Sequence, residues 1–291
     1  MYLLFFGGFV MALALEKWGV HEQIARRIIA VVGDKKSNIL LGFILSTGLI
    51  SMWISNTATA LMMLPMAMAV VEAMPPAHRH SRFAIFLMLS IAYAANIGGV
   101  GTLIGSPPNT QMASILSENF HIEISFFDWM KIGMPLAILL LLIMFLVFSY
   151  LLGSERKDVH DLHFHTLPWT NAQKRVLWIF SIVAGLWIFR EAFSSMFGIN
   201  YRDENAAILG ALAMFLVPNG EENKQKILRW SDTEKLPWGI LLLFGGGLAL
   251  AAVLEKNGIL KHLASTFESF EGLSLVTAIL ILTTLAIFIS E

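Results

Sequence analysis

Two stretches of the chain, residues 39–71 and 83–117, contain no Asp, Glu, Lys, Arg or His. What they offer for chemistry is neutral: hydroxyls such as Ser51, Ser55 and Thr57, the carboxamides of Asn56, Asn96 and Asn109, and backbone bared by glycine and proline. Acid–base or nucleophilic catalysis needs an ionisable side chain or a thiol at the reacting centre, and the sequence has no cysteine. These stretches do not read as an enzyme site. Neutral oxygens suit a hard cation such as sodium, and the free amides of a helix N-terminus suit an anion. Ser55-Asn56-Thr57 lies in the middle of the first stretch. There Asn56 and Thr57 can cap a following helix whose first amides attract an anion. The carbonyls that end the preceding helix, with the hydroxyls of Ser51 and Ser55, can hold the cation beside it.

The elements that position these groups belong to a membrane. Of 291 residues, 56% are apolar and 14% charged, against about 25% charged in a soluble domain. Twenty basic residues nearly cancel twenty-one acidic ones, so no net field attracts nucleic acid. Charge-free apolar runs cover residues 3–15, 39–71, 83–117, 132–152, 176–189, 206–217, 239–254 and 275–290. Crossing about 30 Å of hydrocarbon takes about 20 helical residues, and the run 39–71 fits no single straight span. Broken at Ser55, its arms are each about 24 Å long, too short to cross but long enough to enter and return. The expectation is a re-entrant helical hairpin, whose tip must be buried in protein or line a polar cavity because lipid satisfies no free backbone group. Gly98, Gly99, Gly101, Gly105 and the pair Pro107-Pro108 break the run 83–117 and set a second unwound stretch opposite the tip.

Charge supports the hairpin. If it returns to its own side, the loops 17–38, 72–82, 153–175 and 218–236 share that side and hold fifteen of the twenty basic residues. The positive-inside rule makes it cytoplasmic, with the loops around Arg79 and Lys157. The first run has neither a basic flank nor a small-residue cleavage site and reads as a span. The expected location is the inner (plasma) membrane, in many passes.

Residues 3–20 align with 242–259 at a shift of 239, identical at ten of eighteen positions, including Leu-Phe-x-Gly-Gly and Leu-Glu-Lys-x-Gly. Counting crossings, the copies are the first and sixth spans and face opposite ways. Inverted repeats with interrupted helices mark secondary transporters, whose sites lie near mid-membrane. The same shift carries Ser55 to position 294. The expectation is therefore a chain incomplete as given, with half the site and a second Ser-Asn-Thr tip beyond Glu291, that does not transport alone.

The strings Trp53-Ile54-Ser55-Asn56-Thr57-Ala58-Thr59-Ala60, Met62-Met63-Leu64-Pro65 and Gly98-Gly99 through Gly105-Ser106-Pro107-Pro108-Asn109 resemble the divalent anion:sodium symporters, the dicarboxylate and sulfate carriers with paired Ser-Asn-Thr hairpins. The resemblance implies an all-α polytopic membrane protein, an inverted-repeat elevator-type transporter, here incomplete at both ends, and a homodimer when complete. It divides the chain into a scaffold span and interfacial helix (1–36), the re-entrant hairpin of a transport domain (37–74), that domain's broken helix and following span (81–152), a cytoplasmic loop (153–175), scaffold spans (176–256), and an interfacial helix with the first arm of a second hairpin (257–291). It implies that Ser51, Ser55, Asn56 and the Gly105 main chain hold one sodium and that Asn56 and Thr57 contact a substrate carboxylate. The candidate substrate set is Ser55, Asn56, Thr57 and Pro108; the candidate sodium set is Ser51, Ser55, Asn56, Gly105 and Asn109. The expected function is sodium-coupled transport of a small divalent anion, foremost a C4 dicarboxylate. A sodium-independent dicarboxylate exchanger and a carrier of sulfate or another divalent oxyanion are the alternatives.

Other features have plainer readings. His160, Asp161, His163 and His165 sit in a charged loop with no second cluster to complete a metal site. Gly99-Val100-Gly101 follows no strand and is not a dinucleotide loop. Trp129, Trp169, Trp178, Trp187, Trp230 and Trp238 fall near span ends and read as interfacial anchors. Glu16 and Glu255, at helix ends beside Lys17 and Lys256, read as structural ion pairs or interface contacts rather than couplers. A channel would need a continuous pore lining, which one hairpin does not demand.

Overall fold

A computed structural model describes residues 2–33, 35–75, 79, 81–153, 167–221, 225–258 and 274–290. The histidine stretch 160–165, Lys157 and nearly all of the interfacial helix expected after residue 257 lie outside the described residues. Among the described residues the chain is helical, with one isolated antiparallel bridge between Pro218 and Lys226. It forms two compact units, Met1–Pro237 and Trp238–Glu291.

Among the described residues the first unit holds ten α-helices: α1 (Tyr2–Lys17), α2 (Val20–Val32), α3 (Lys36–Ser51), α4 (Asn56–Glu72), α5 (Arg82–Gly99), α6 (Pro107–Phe120), α7 (Phe126–Leu152), α8 (Asn171–Ile188), α9 (Arg190–Phe197) and α10 (Asp203–Leu216). Helices α5 and α7 are long and apolar enough to cross a membrane; α1–α2, bent by 65°, and α8–α9, bent by 77°, pass the same test as pairs. The run 39–71 breaks where its polar triplet predicts, into α3 of 16 residues and α4 of 17. The run 83–117 breaks between Gly99 and Pro107, and α6 restarts on its two prolines, whose missing N–H groups cost nothing in a first turn. Ser125 and Asp128 close a capping box at the start of α7, as Thr170 and Gln173 do for α8.

Helices α3, α4, α5 and α7 pack on one another, and so do α1, α8 and α10; α2 touches α3, α1 and α8. Each group has a crossing that only glycine allows. A methyl carbon at Gly98 would lie 2.2 Å from Gly48 O, and one at Gly7 would lie 2.6 Å from the Ala207 backbone. Bare helix surfaces let backbones approach this closely where lipid supplies no hydrophobic drive.

Where α7 meets α8 and α10, the contacts are polar and aromatic. The buried Asp203 carboxylate accepts the Phe126 N–H at 2.7 Å and faces Arg190 at 3.4 Å. Phe126 stacks on Trp187 at 4.5 Å and on Trp53 at 5.9 Å, and Trp187 Nε1 donates to Asp203 O at 2.9 Å. This corrects the reading of the tryptophans as a uniform set of anchors. Trp187 is fully buried, and Trp129 Nε1 donates to Val100 O at 2.8 Å, whereas Trp178 and Trp230 stand exposed. An indole with one N–H serves a buried carbonyl as well as an interface. Lys17 likewise finds its carboxylate in Asp232, at 2.7 Å, rather than in neighbouring Glu16.

The second unit contains α11 (Trp238–Lys256) and α12 (Leu275–Ser290). Helices α1 and α11 end on lysines 239 residues apart, and the glycines that follow, Gly19 and Gly258, both take left-handed backbone, with φ of +61° and +70°. Helix α12 begins 239 residues after α3. The spacing of the sequence repeat is thus also a spacing of helix boundaries and turn conformations.

Candidate functional site

The end of α3 and the break between α5 and α6 come together, and their unpaired carbonyls converge. The last turn of any helix leaves carbonyls without intrahelical donors. Here side chains satisfy some and leave others. Met52 O accepts the Thr102 hydroxyl, which itself accepts the Gly105 N–H at 3.1 Å. Asn109 Nδ2 donates to Gly99 O and Thr102 O, both at 2.8 Å. Ser51 Oγ donates to Ala95 O at 2.6 Å. Among the described residues nothing donates to Ser51 O, and Gly105 O has only the Asn56 carboxamide within reach. A methyl on Gly105 would stand 2.7 to 3.0 Å from Gly99 O, Met52 O and Ser51 O, so this backbone has room only because Gly105 has no side chain.

Asn56 closes the cluster. One end of its carboxamide meets Gly105 O and Ala95 O at 3.2 Å and Ser51 Oγ at 2.9 Å; the other faces Asn96 at 3.3 Å. With its oxygen inward, Ser51 Oγ can donate to it at 2.9 Å. With NH2 inward, it serves the carbonyls. A methyl on Gly99 would stand 2.3 Å from this carboxamide. The result is a buried group of neutral oxygens, with no titratable side chain in it, bordered by the exposed Thr57 and Asn96.

The structure therefore gathers Ser51, Asn56 and Gly105. Asn109 lies one layer out, with its NH2 committed to the loop carbonyls. Ser55 caps α4, accepting from Ala58 N at 3.4 Å. That corrects the expectation that Asn56 and Thr57 do so: Ser55 has the extended backbone a cap requires, with ψ of 145°, whereas Asn56 is already helical. Thr57 and Pro108 are exposed on the first turns of α4 and α6, and no hydrogen bond among the described residues joins Thr57 to the cluster. Thr102, Asn96 and Trp129 were absent from the expected set. A hydroxyl among four glycines in an apolar run was the available signal for Thr102.

Away from this cluster, a cavity of about 170 Å³ is lined by Glu123, Arg190, Arg202, Asp203 and Glu204 among others. Its arginines are matched by acids, and Arg190 is engaged by Asp203. It is a poor site for a dianion.

Comparison with known proteins adds an independent line. The citrate transporter family matches over residues 1–291. The sodium-dependent dicarboxylate transporter SdcS of Staphylococcus saprophyticus is 37% identical over 313 residues, which cover 99% of this chain and 59% of that protein. SdcS of Staphylococcus aureus strain USA300 is 36% identical over 296 residues, covering 93% of this chain and 56% of its own length. The chain spans a little over half the length of these relatives.

Proposed function

The chain belongs to the citrate transporter family, among the divalent anion:sodium symporters, and from that premise we propose that it supplies part of a sodium-coupled carrier for a C4 dicarboxylate. The family is one of transporters, not enzymes, and the apolar helices are those of a multi-pass membrane protein. The observation that carries the reading is the oxygen cluster where two broken helices meet: Ser51 O and Oγ, Gly105 O and the Asn56 carboxamide. Such a set suits sodium, with Ser55 shaping the tip and Asn109 acting through the carbonyls it holds. The dicarboxylate then lies on the exposed side, toward Asn56, Thr57, Ser55 and Pro108, at the N-termini of α4 and α6.

Coupling follows from charge. The cluster has no Arg or Lys, so a dianion must be balanced by sodium and by helix N-termini, and the anion site is weak until the cation is in place. The names of the relatives support sodium and dicarboxylate as the pair. The 239-residue spacing of helix ends and left-handed glycines supports an inverted repeat, with a second half-site of the same kind in the complete carrier. The packing of α1 with α8 and α10, and of α3, α4, α5 and α7 with one another, the two groups joined through α2 and the start of α7, supports a scaffold and a body that moves against it, as an elevator in a homodimer of the plasma membrane requires.

The test uses the full-length carrier containing this sequence, in proteoliposomes. Succinate uptake is expected to be saturable and driven by a sodium gradient, and Asn56→Ala is expected to reduce it at least about 30-fold, about 2 kcal/mol. Uptake indifferent to sodium, or unchanged in the variant at matched protein level, refutes the assignment.

A further inference from the structure

The geometry points to Asn56 as a two-sided coupler: its carboxamide turns over when sodium binds and presents its NH2 to the dicarboxylate only in the sodium-loaded site. This rests on the sodium site proposed above and adds the device that orders binding there.

The two ends of a carboxamide are chemical opposites, one a pair of donors and the other an acceptor. At Asn56 their surroundings are opposites too. The inner end meets only oxygens, namely Gly105 O, Ala95 O and Ser51 Oγ, at 2.9 to 3.2 Å. The single hydroxyl hydrogen among them has a strong alternative partner in Ala95 O, at 2.6 Å. An Asn56 oxygen turned inward makes a nest of acceptors that a cation alone holds together; an NH2 turned inward supplies the donors those acceptors lack. Sodium and the NH2 group therefore compete for one position. When sodium takes it, the oxygen swings in to coordinate and the NH2 swings out, where it donates to Asn96 Oδ1 at 3.3 Å and to an incoming carboxylate.

The turn is cheap in structure. It is a half-rotation about a broad, roughly two-fold torsion, so it exchanges nitrogen for oxygen without shifting the hairpin, and the bare Gly99 leaves room beside it. Asn96 is the positioning residue. As a second carboxamide it can accept from the outward NH2 or donate to the outward oxygen, so the pair turns together. Without sodium the outer face offers the carboxylate an oxygen, which repels it. With sodium it offers a donor. By linkage the dicarboxylate must tighten sodium by the same factor that sodium tightens the dicarboxylate.

The experiment uses the full-length carrier in nanodiscs with isotopically labelled asparagine, alanine and glycine, read by solid-state NMR. A dipolar contact between Asn56 Nδ2 and the Ala95 carbonyl carbon is expected in potassium and is expected to disappear in saturating sodium without dicarboxylate. Its persistence in saturating sodium overturns the proposal. Asn96→Leu, which leaves every oxygen of the cluster in place and removes the outer partner of the Asn56 carboxamide, is expected to keep sodium-induced thermal stabilisation, with half-saturation within threefold of wild type, while the factor by which sodium tightens succinate binding, at least about tenfold in the wild type, falls at least about threefold. An unchanged tightening factor in that variant overturns the coupled turn but leaves the sodium site standing. Sodium stabilisation retained in Asn56→Ala overturns the site itself.

Discussion

Gly98→Ala places the smallest side-chain carbon where the structure has the least room for one. The new methyl would lie 2.2 Å from Gly48 O, 2.7 Å from Gly48 Cα and 2.8 Å from Gly48 C, all backbone atoms of α3 that cannot rotate away. Restoring ordinary contact distances requires α3 and α5 to part by about 1 Å. That movement stretches the buried bond between Ser51 Oγ and Ala95 O from 2.6 Å to beyond the range of a hydrogen bond. Overpacking costs about 1–3 kcal/mol, the lost bond about 1 kcal/mol more, and the better helix propensity of alanine returns about 1 kcal/mol. The net expectation is a loss of about 1–3 kcal/mol, with sodium affinity falling alongside because the same crossing carries the site. The assay is reversible unfolding of the full-length carrier in lipid, paired with sodium titration. Gly185→Ala in α8 is the control: no atom lies within 4 Å of the added methyl, so stability is expected to hold or rise by up to about 1 kcal/mol. Gly98→Ala unfolding within about 0.5 kcal/mol of wild type would show that α3 and α5 do not cross on this pair.

Three further outcomes follow from single residues. Thr102→Val leaves Met52 O and the Gly105 N–H unpaired in a buried place, so half-saturating sodium is expected to rise at least about tenfold; Thr102→Ser should restore it, and an unaltered titration for the valine would remove Thr102 from the site's support. Asp203→Ala strips the Phe126 N–H and Arg190 of their shared acid and is expected to cost about 2–4 kcal/mol in unfolding measurements, against about 1 kcal/mol for Asp203→Asn. His21 at the start of α2 is buried, which holds its ring below the ordinary histidine range although Leu15 O at 3.2 Å and the nearby Glu22 and Glu16 pull the other way. The folded chain thus prefers the neutral ring, while the unfolded chain protonates first as pH falls through about 6.5. Stability from this group is complete above that pH and declines below it; His21→Gln should flatten the slope, and an unchanged slope would discount the histidine.

The break at Ser55 was legible because a polar triplet in a long charge-free apolar run has few other uses, and Gly105 because glycines and a proline pair rarely punctuate a packed helix without cause. Local chemistry reached that far. It did not reach Thr102, whose role comes from Met52, fifty residues away, or Trp187, whose ring is claimed by Phe126 rather than by the membrane interface. Nothing in its sequence neighbourhood singles out Asp203. Only the fold shows that the amide it accepts opens a different helix. The capping error at Asn56 and Thr57 has a smaller cause: all three residues of the triplet are good caps, and backbone angle alone chooses Ser55.

Helix α7 is clasped at one end. Asp203 holds its first amide and Trp187 and Trp53 flank its first ring, while its 27 residues extend about 40 Å from that grip. Its far half is seated on the neighbouring helices: Phe148 stacks on Phe86 at 5.0 Å, and Leu141 and Leu152 are buried. Mechanically this is a strut rather than a free lever. A tilt of about 10° at Phe126, which is about 7 Å at the Leu152 end, has to carry α3 and α5 with it, and Pro135, inside the helix a third of the way along, is where such a strut bends without breaking further bonds.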